Sequence, residues 1–246
     1  MTRTKTKTMA ITGLSLLLAA GVTAVILGRH RLHDWLVLAA GRHTIASHQA
    51  APVDLQDAIR QFGTPASYFD KITAFPAWQT VPRGFQVFDQ VPLQIDGMIC
   101  LWGESNAKKL HIVFPEAATG IAINQKFQTL YVYHGAFFTS RPGTPVCDVV
   151  FHYEDGSSLT NQLLYGVDIL DWTAKAMTGP TGDHSKLAWV GGSFSPKHKS
   201  PLRFCLTALN NPQPDLAITT IDLVSDKSNT AACILAMTAG RAGLMP

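Results

Sequence analysis

The hydrophobic pattern changes along the chain, from an uncharged run to a helical period and then to alternation from residue 84 onward. The run from Thr8 to Gly28 contains 21 residues without a charge. At ~1.5 Å per residue a helix of this length reaches roughly 30 Å, the hydrocarbon thickness of a bilayer. Residues 1–28 therefore predict a single transmembrane helix. A cleaved signal peptide is the alternative, although its apolar region is usually shorter, about 7–15 residues.

A juxtamembrane stalk is predicted at residues 29–80, and it contains one short helix. Pro52 suits the first position of a helix, and Leu55, Ile59 and Phe62 recur on one helical face. A Gly-Thr-Pro sequence then ends this helix, and a mixture of aromatic residues and prolines follows. The pattern indicates an irregular approach to the next domain, with a boundary near residues 78–84.

Short alternating segments dominate the rest of the chain. In Val146–Tyr153, Val149 and Phe151 fall on one face while Asp148 and His152 fall on the other, which is typical of a half-buried antiparallel strand. An Asp-Gly turn signal follows, so this strand begins a hairpin. The predicted strands are Phe85–Phe88, Met98–Trp102, Leu110–Phe114, Gly120–Ile123, Thr129–His134, Val146–Tyr153, Leu159–Tyr165, Leu187–Val190, Leu202–Leu209, Ala217–Val224 and Ala232–Thr238.

These segments predict an all-β domain at residues 81–246. Many short strands separated by Gly, Pro, Asn and Asp are typical of an antiparallel β-sandwich or jelly roll. The fold class predicted for the whole chain is therefore an antiparallel β-sandwich preceded by an N-terminal transmembrane helix and a short helical stalk.

Charge is distributed unevenly, and this argues against nucleic acid as a partner. Six of the 20 Lys and Arg residues precede residue 50, where Asp34 is the only acidic residue. The remaining 14 basic residues are outnumbered by 16 acidic ones, so the predicted domain is mildly acidic. A nucleic-acid-binding domain needs a basic stripe to neutralise phosphates, and beyond residue 50 only the short cluster at 197–199 is basic.

Four segments supply a resemblance to a known class of domain. They are Val91–Gly103, Thr129–Gly135, the hairpin residues 151–158 with 163–172, and Asn210–Ser225 with its Asn-Pro-x-Pro-Asp-x-x-Ile-x-x-Ile-Asp sequence. Together they resemble the galactose-binding-like β-sandwich domains of bacterial cell-surface proteins, close to the NPCBM-type carbohydrate-binding modules. The resemblance implies a β-sandwich over residues 80–240 and suggests sugar binding.

Candidate ligand-binding residues are aromatic side chains beside loops and carboxylates. A sugar stacks its apolar face on an aromatic ring, and carboxylates accept hydrogen bonds from its hydroxyls. Trp172 with Asp168 and Asp171 forms the best small constellation; Trp102 directly precedes Gly103, and Trp189 lies two positions before Gly191. The alternative for each ring is packing in the sandwich core.

No catalytic residues, metal site or cofactor are predicted. Gly191 to Ser195 departs from Gly-x-Ser-x-Gly at its last position, and dinucleotide and phosphate-binding glycine motifs are absent. His30 and His33 have metal-ligand spacing but lack a Cys or carboxylate partner, so solvated flanking histidines are favoured. A structural calcium ion stays an unlocated alternative.

The cysteines do not form a disulfide framework, because four in 246 residues is far too few. Each lies in a predicted strand among apolar neighbours, which favours free buried thiols. One bridge is the alternative, and sequence cannot rank the three possible pairings of Cys100, Cys147, Cys205 and Cys233.

The function predicted from these observations is a non-catalytic cell-envelope binding domain that recognises carbohydrate. A structural or assembly protein that binds another envelope protein through the sandwich is the alternative, and an undetected hydrolase is a third. The N-terminal helix makes the membrane a partner, and export places the domain outside the cytoplasm, in the periplasm or at the cell surface. Exposed aromatic rings in a groove favour sugar binding, whereas an unpaired sheet edge or an apolar patch favours a protein partner.

Overall fold

A computed structural model describes residues 50–65, 79–173, 178–192 and 201–245. The predicted transmembrane run, His30, His33 and the basic cluster at 197–199 lie outside the described residues. Among the helices that are described, none has the length and apolar character needed to cross a membrane.

Thirteen strands and two short helical segments make up the described part of the chain. The helical segments are α1 (Gln56–Phe62) and a π-helical turn (Asn106–Leu110). The strands are β1 (Ala50–Pro52), β2 (Thr64–Pro65), β3 (Gly84–Phe88), β4 (Val91–Ile95), β5 (Gly97–Cys100), β6 (Ala117–Gln125), β7 (Thr129–Phe137), β8 (Pro145–Tyr153), β9 (Ser158–Leu164), β10 (Ser185–Gly191), β11 (Leu202–Asn210), β12 (Ile218–Ser225) and β13 (Ala231–Gly240).

The strands form two principal antiparallel sheets and one separate hairpin. The larger sheet has the order β10-β11-β7-β13-β5-β2, and β1 also pairs with β13. The smaller sheet has the order β6-β12-β8-β9, and β3 pairs only with β4. The prediction of a mostly antiparallel all-β fold is therefore confirmed.

One apolar core joins the inner faces of the two sheets. Leu130 and Val132 of the larger sheet belong to the same buried cluster as Phe151 and Leu223 of the smaller sheet. The predicted alternation of β8 is confirmed, since Val149 and Phe151 are fully buried while Asp148 and His152 are half-buried. Burial of this alternating apolar face is the main force that holds the sheets together.

A second core covers the opposite face of the larger sheet. There Tyr133 and Phe204 pack with Leu93 and Ile95 of the β3–β4 hairpin. Because both faces of the larger sheet are covered, its central strand β13 is buried at all ten positions. This explains why β13 reads as a nearly continuous apolar run instead of an alternating one.

Two local predictions differ from the structure. Leu110–Phe114 is not a strand, because the π-helical turn ends at Leu110 and the next residues form an irregular exposed segment. The sequence prediction omitted β4, whose second residue is Pro92. Proline is tolerated there because β4 pairs only with β3 and leaves its other edge outside the ladder.

The predicted short helix is present as α1, but it begins at Gln56, Pro52 is the last residue of β1, and α1 packs into the sandwich. Val53, Leu55 and Ile59 belong to the core between the sheets, and β1 pairs with the last residues of β13. β1 and α1 accordingly belong to the same compact unit as the later strands. α1 precedes the expected boundary near residues 78–84, yet its apolar face is buried against strands that come much later in the chain.

The prediction of four free thiols is wrong for two of them. Cys100 and Cys233 form a disulfide bond, whereas Cys147 and Cys205 are free and buried. β5 and β13 are antiparallel, and Cys100 lies directly opposite Cys233 with the Cα atoms 4.1 Å apart. This register decides the pairing, and the separation of 133 residues hides it from sequence inspection.

Candidate functional site

The loop that follows β9 contains the best predicted constellation, and Asp168 closes this loop. The Asp168 carboxylate is only 2% exposed. It accepts hydrogen bonds from the Leu164 backbone N–H at 2.9 Å and from the Ser185 hydroxyl at 3.0 Å. His184 Nε2 lies 2.8 Å from the same carboxylate. Asp168 therefore joins its own loop to Ser185, the first residue of β10, through buried hydrogen bonds.

A chain of polar side chains continues from Asp168 into the core. The Ser185 hydroxyl lies 2.8 Å from Thr207 Oγ1, which in turn lies 2.8 Å from His134 Nε2. Burial lowers the pKa of His134 from its ordinary value of 6.5 to about 3, so its imidazole is neutral in the folded protein near pH 7. We call His134, Thr207, Ser185, Asp168 and His184 the polar chain.

The order of groups in the polar chain matters for its chemistry. A nucleophilic serine needs a base in hydrogen-bond contact with its hydroxyl, usually an imidazole that a carboxylate orients. Here the Asp168 carboxylate lies between Ser185 and His184, and it contacts both. The arrangement orients these side chains and gives Asp168, Ser185 and Thr207 hydrogen-bond partners, while His134 Nδ1 is buried without one, and it does not place an imidazole on the Ser185 hydroxyl.

Asp171 closes the next turn of the same loop. Its Oδ1 accepts hydrogen bonds from the Thr173 backbone N–H at 2.8 Å and from the Thr173 hydroxyl at 2.9 Å. Arg203 donates from Nε to the Asp171 carbonyl at 2.9 Å and from Nη1 to the Thr178 carbonyl at 2.6 Å. Burial raises the pKa of Asp171 above its usual range. These contacts hold the loop against β11.

Trp172 points into the second core, as its packing alternative predicted. The residue is only 6% exposed, and its ring centroid is 4.3 Å from that of Phe137. Gly135 permits this close packing, because a Cβ there would lie 2.9 Å from the Phe204 ring and 3.4 Å from Cβ of Trp172. The Trp172 ring therefore contributes to the core and is not presented to solvent.

Trp102 and Trp189 are both half-buried and lie in different surroundings. Trp189 stacks on Phe204, with ring centroids 5.7 Å apart, so it borders the same core as Trp172. Trp102 precedes the π-helical turn, and its carbonyl accepts a hydrogen bond from the Ser225 hydroxyl. The structure thus brings Asp168, Asp171 and Trp172 together in one loop, whereas Trp102 takes no part in it.

A surface cleft that sequence reasoning missed lies between α1 and β6. Its volume is about 290 Å³, near the lower end of the range of small-ligand pockets. The helix side contributes Asp54, Asp57, Ala58, Gln61 and Phe62, and the strand side contributes Thr119, Gly120, Ile121 and Ala122. The residues on the helix side recur at intervals of three and four positions, which places them on one face of a helix. No sequence signal showed that β6 would pack beside that face.

A β-bulge shapes the strand side of the cleft. Ala118 and Ile121 pair with Leu223 and Ile221, so β6 has one residue more than β12 over this span. Gly120 adopts φ +73°, a conformation that glycine reaches without strain, and a Cβ added there would meet nothing within 4 Å. The extra residue turns the edge of β6 toward the open cleft.

The Asp222 side chain fixes the bulge through a hydrogen bond to its backbone. Its Oδ1 accepts a hydrogen bond from the Gly120 N–H at 2.7 Å, and its Oδ2 lies 2.9 Å from His152 Nε2. Both side chains lie on the outer face of the smaller sheet. The backbone that lines the cleft is therefore fixed before any ligand arrives, which reduces the entropy lost on binding.

Metal ligands are not grouped in the described part of the chain. No three His, Cys, Asp or Glu side chains there lie close enough together to hold a metal ion. Asp148 and Asp226 both accept hydrogen bonds from the Gln162 amide, at 3.1 Å and 3.3 Å. Burial, and then the charge of Asp148, raises the pKa of Asp226 to about 6.

Comparison with known proteins finds no match to this chain, either among protein-family models or among curated proteins.

Proposed function

We propose that this protein is a non-catalytic binding domain of the cell envelope, and that the cleft between α1 and β6 recognises carbohydrate. The observation that carries the proposal is the open cleft, which combines carboxylates, an amide and a hydroxyl with an apolar floor. A few polar groups above an apolar surface are typical of sites that bind small ligands. We also propose that the sandwich belongs to the galactose-binding-like class, and its two facing antiparallel sheets support this.

The proposal that the domain is non-catalytic rests on the polar chain. Its serine contacts a carboxylate and a threonine hydroxyl, and its buried histidine holds a pKa of about 3. A general base works best with a pKa near the pH at which it acts. Neither group is therefore suited to acid–base chemistry at neutral pH.

The disulfide bond and the uncharged run together support an extracytoplasmic location. Structural disulfides persist in oxidising compartments and are rare in the cytosol. We propose that Thr8–Gly28 anchors the domain outside the cytoplasm. Protease added to intact spheroplasts should degrade the domain, and a titration under denaturing, non-reducing conditions should find two free thiols. Protection of the domain together with four free thiols would contradict this location.

Glycan binding is the direct test of the proposed function. The full chain in detergent micelles should bind a subset of an envelope-glycan array, and Ala122→Phe, which fills the cleft, should abolish that binding. Ala122 is exposed, so the variant should keep the stability of the parent. Thr160→Phe, at an exposed position on β9, is the matched control and should bind normally. An array without signal would overturn the carbohydrate proposal.

An assembly role is the second candidate, and a separate surface favours it. Leu110, Ile112 and Val113 are exposed within four consecutive positions, and Val113 is 74% exposed. Neighbouring exposed apolar side chains are typical of surfaces that bind proteins. A photo-crosslinker at position 113 should yield one defined protein adduct in cells if this role is correct, whereas a crosslinker at position 160 should yield none.

A further inference from the structure

We infer that this protein self-associates through β3, whose free edge pairs antiparallel with β3 of a second copy. Phe85 of one copy then lies opposite Val87 of the other, and Gln86 lies opposite its own counterpart. The surface is separate from the cleft between α1 and β6, so the inference is independent of carbohydrate recognition. It follows from the open edge of β3, the side chains along it and the symmetry of the segment.

One edge of β3 has no neighbouring strand in the described part of the chain. β3 pairs only with β4, and no backbone hydrogen bond outside the strand ladders involves Phe85 or Val87. The two strands are joined by a two-residue turn, Asp89–Gln90, in which both residues have positive φ. In such a hairpin Phe88 and Val91, the pair next to the turn, exchange hydrogen bonds, and the exchange alternates along the ladder. The N–H and C=O groups of Phe85 and Val87 therefore point away from β4.

The side chains along this edge are apolar and exposed. Phe85 is 46% exposed and Val87 is 56% exposed, and β3 is the only described strand with two exposed large apolar side chains. By contrast, β6 contains a bulge, and the exposed residues of β9 are Ser158, Thr160 and Gln162. A strand edge without a bulge or a charged side chain is a template for pairing with another chain.

The segment is complementary to itself, so a second copy is the partner that fits. With Gln86 on a two-fold axis, Phe85 and Val87 of opposite copies face each other on the exposed side of the sheet, and each such pair exchanges two backbone hydrogen bonds. Aromatic and β-branched side chains form favourable cross-strand pairs. The same register brings Arg83 of one copy to the end of β3 at which Asp89 of the other copy lies. A parallel arrangement would bring like charges together.

The charges fix the orientation of the two strands more than the affinity. Asp89 lies 3.4 Å from Lys186 of its own copy, so its charge is already partly engaged, and exposed ion pairs contribute little. β3 has five residues, and Gly84 at φ +66° ends the regular ladder, so the shared edge is short. We therefore expect a weak dimer whose population rises with protein concentration, because a small interface has few contacts to offset the entropy lost on association.

Engineered cysteines test the register. In the full chain in detergent micelles, Gln86→Cys should form an intermolecular disulfide under mild oxidation, because a non-hydrogen-bonded antiparallel pair has Cα atoms about 4.5 Å apart, within the range that a disulfide spans. Phe85→Cys chains mixed with Val87→Cys chains should crosslink to each other more efficiently than either crosslinks to itself. The two native free thiols are buried and should not interfere.

A matched control on another strand edge accompanies these variants. Thr160→Cys is exposed on β9 and should stay monomeric on a non-reducing gel. Crosslinking of Thr160→Cys as efficient as that of Gln86→Cys would overturn the inference, since it would reflect random collisions. A preference of Phe85→Cys for itself over Val87→Cys would overturn the register.

Val87→Lys tests the contribution of the edge to dimerisation. Sedimentation equilibrium of the full chain in micelles should show a monomer–dimer equilibrium, and lysine on the edge should raise its dissociation constant about tenfold or more. Thr160→Lys adds the same charge at an exposed position on β9 and should keep the parent value. A parent chain that is monomeric at every concentration, or a dimer that persists in Val87→Lys, would overturn the inference. A photo-crosslink from position 87 to a different protein, with none to a second copy, would also overturn it.

Discussion

Two regions of this protein contain carboxylates beside aromatic rings, but they use them in opposite ways. In the loop after β9, the Asp168 carboxylate and the Trp172 ring are buried. Protein groups donate hydrogen bonds to the carboxylate, and the ring packs against Phe137. In the cleft between α1 and β6, Asp54 and Asp57 are exposed, and Phe62 lies half-buried beside them. The loop therefore stabilises the fold, whereas the cleft retains groups that a ligand can use. Composition alone does not separate these cases, because burial decides the role.

The largest expected effect comes from Trp172→Ala. Removal of a buried tryptophan side chain leaves a cavity beside Phe137 and should lower the free energy of unfolding by ~3–5 kcal/mol. Urea denaturation of the full chain in micelles measures this, with Trp172→Phe as the milder variant. A Trp172→Ala protein with unchanged stability and lost glycan binding would instead make this loop the ligand site.

Asp168→Ala should cause the next largest loss. The variant removes the carboxylate that accepts from the buried Leu164 N–H and from the Ser185 hydroxyl, which keeps its contact with Thr207, and this should cost about 2–3 kcal/mol of unfolding free energy. His184→Ala is the matched control on the half-exposed side of the same contact, and it should cost under ~1 kcal/mol. Similar losses in the two variants would show that the buried side of the polar chain has no special importance.

Acidification should weaken the fold through His134. Its pKa is about 3 in the folded protein, against an ordinary value of 6.5. The imidazole of the unfolded chain takes up a proton at a higher pH than the buried imidazole of the folded chain. The stability that neutral His134 contributes is therefore complete above pH 6.5 and is lost as the pH falls toward 3. Between pH 7 and pH 5 the loss should be about 2 kcal/mol.

The comparison of parent with His134→Gln isolates this contribution, since Asp226 acts in the opposite direction. The raised pKa of Asp226, about 6, means that its contribution is complete below about pH 4 and is lost as the pH rises through 6. Stability curves measured from pH 4 to pH 8 should have a smaller acid slope in His134→Gln. Identical slopes would contradict the assignment to His134.

Gly120→Ala tests the preformed cleft with a smaller effect. Alanine at φ +73° is strained by roughly 1–2 kcal/mol, although its Cβ would meet no other atom within 4 Å. The expected result is a modest loss of stability and a larger loss of glycan affinity, because the bulge relaxes. Gly156→Ala, at φ +86° in the β8–β9 turn, is the control for strain without an effect on binding.

The smallest effect on stability is expected in the cleft itself. Asp57→Asn removes an exposed ion pair with Arg60 and should change the unfolding free energy by less than about 0.5 kcal/mol. Thermal denaturation measures this change, which should be far smaller than the losses expected for Trp172→Ala and Asp168→Ala in the loop. A large loss in Asp57→Asn would show that the cleft carboxylates have a structural role after all.

Local chain pattern was sufficient to predict much of the fold. Alternation identified β8 and its hairpin with β9, and the i, i+4, i+7 spacing identified α1, because these patterns reflect the local period of a strand or helix. It failed at Leu110–Phe114, where apolar residues lie exposed beyond a π-helical turn. There the apolar content indicated a buried strand, but Leu110, Ile112 and Val113 are exposed, while Phe114 packs against Phe137 of β7.

Sequence by itself determined the uncharged run, the acidic balance after residue 50 and the strand-forming character of the domain, because each depends on neighbouring residues alone. Tertiary structure decided which carboxylates are buried, which cysteines pair and where the cleft lies. Cys100 meets Cys233, and α1 meets β6, only because antiparallel pairing and core burial bring distant segments together. Asp168 and Asp57 are the same chemical group in the sequence, and only packing makes one a buried tie and the other a candidate ligand contact.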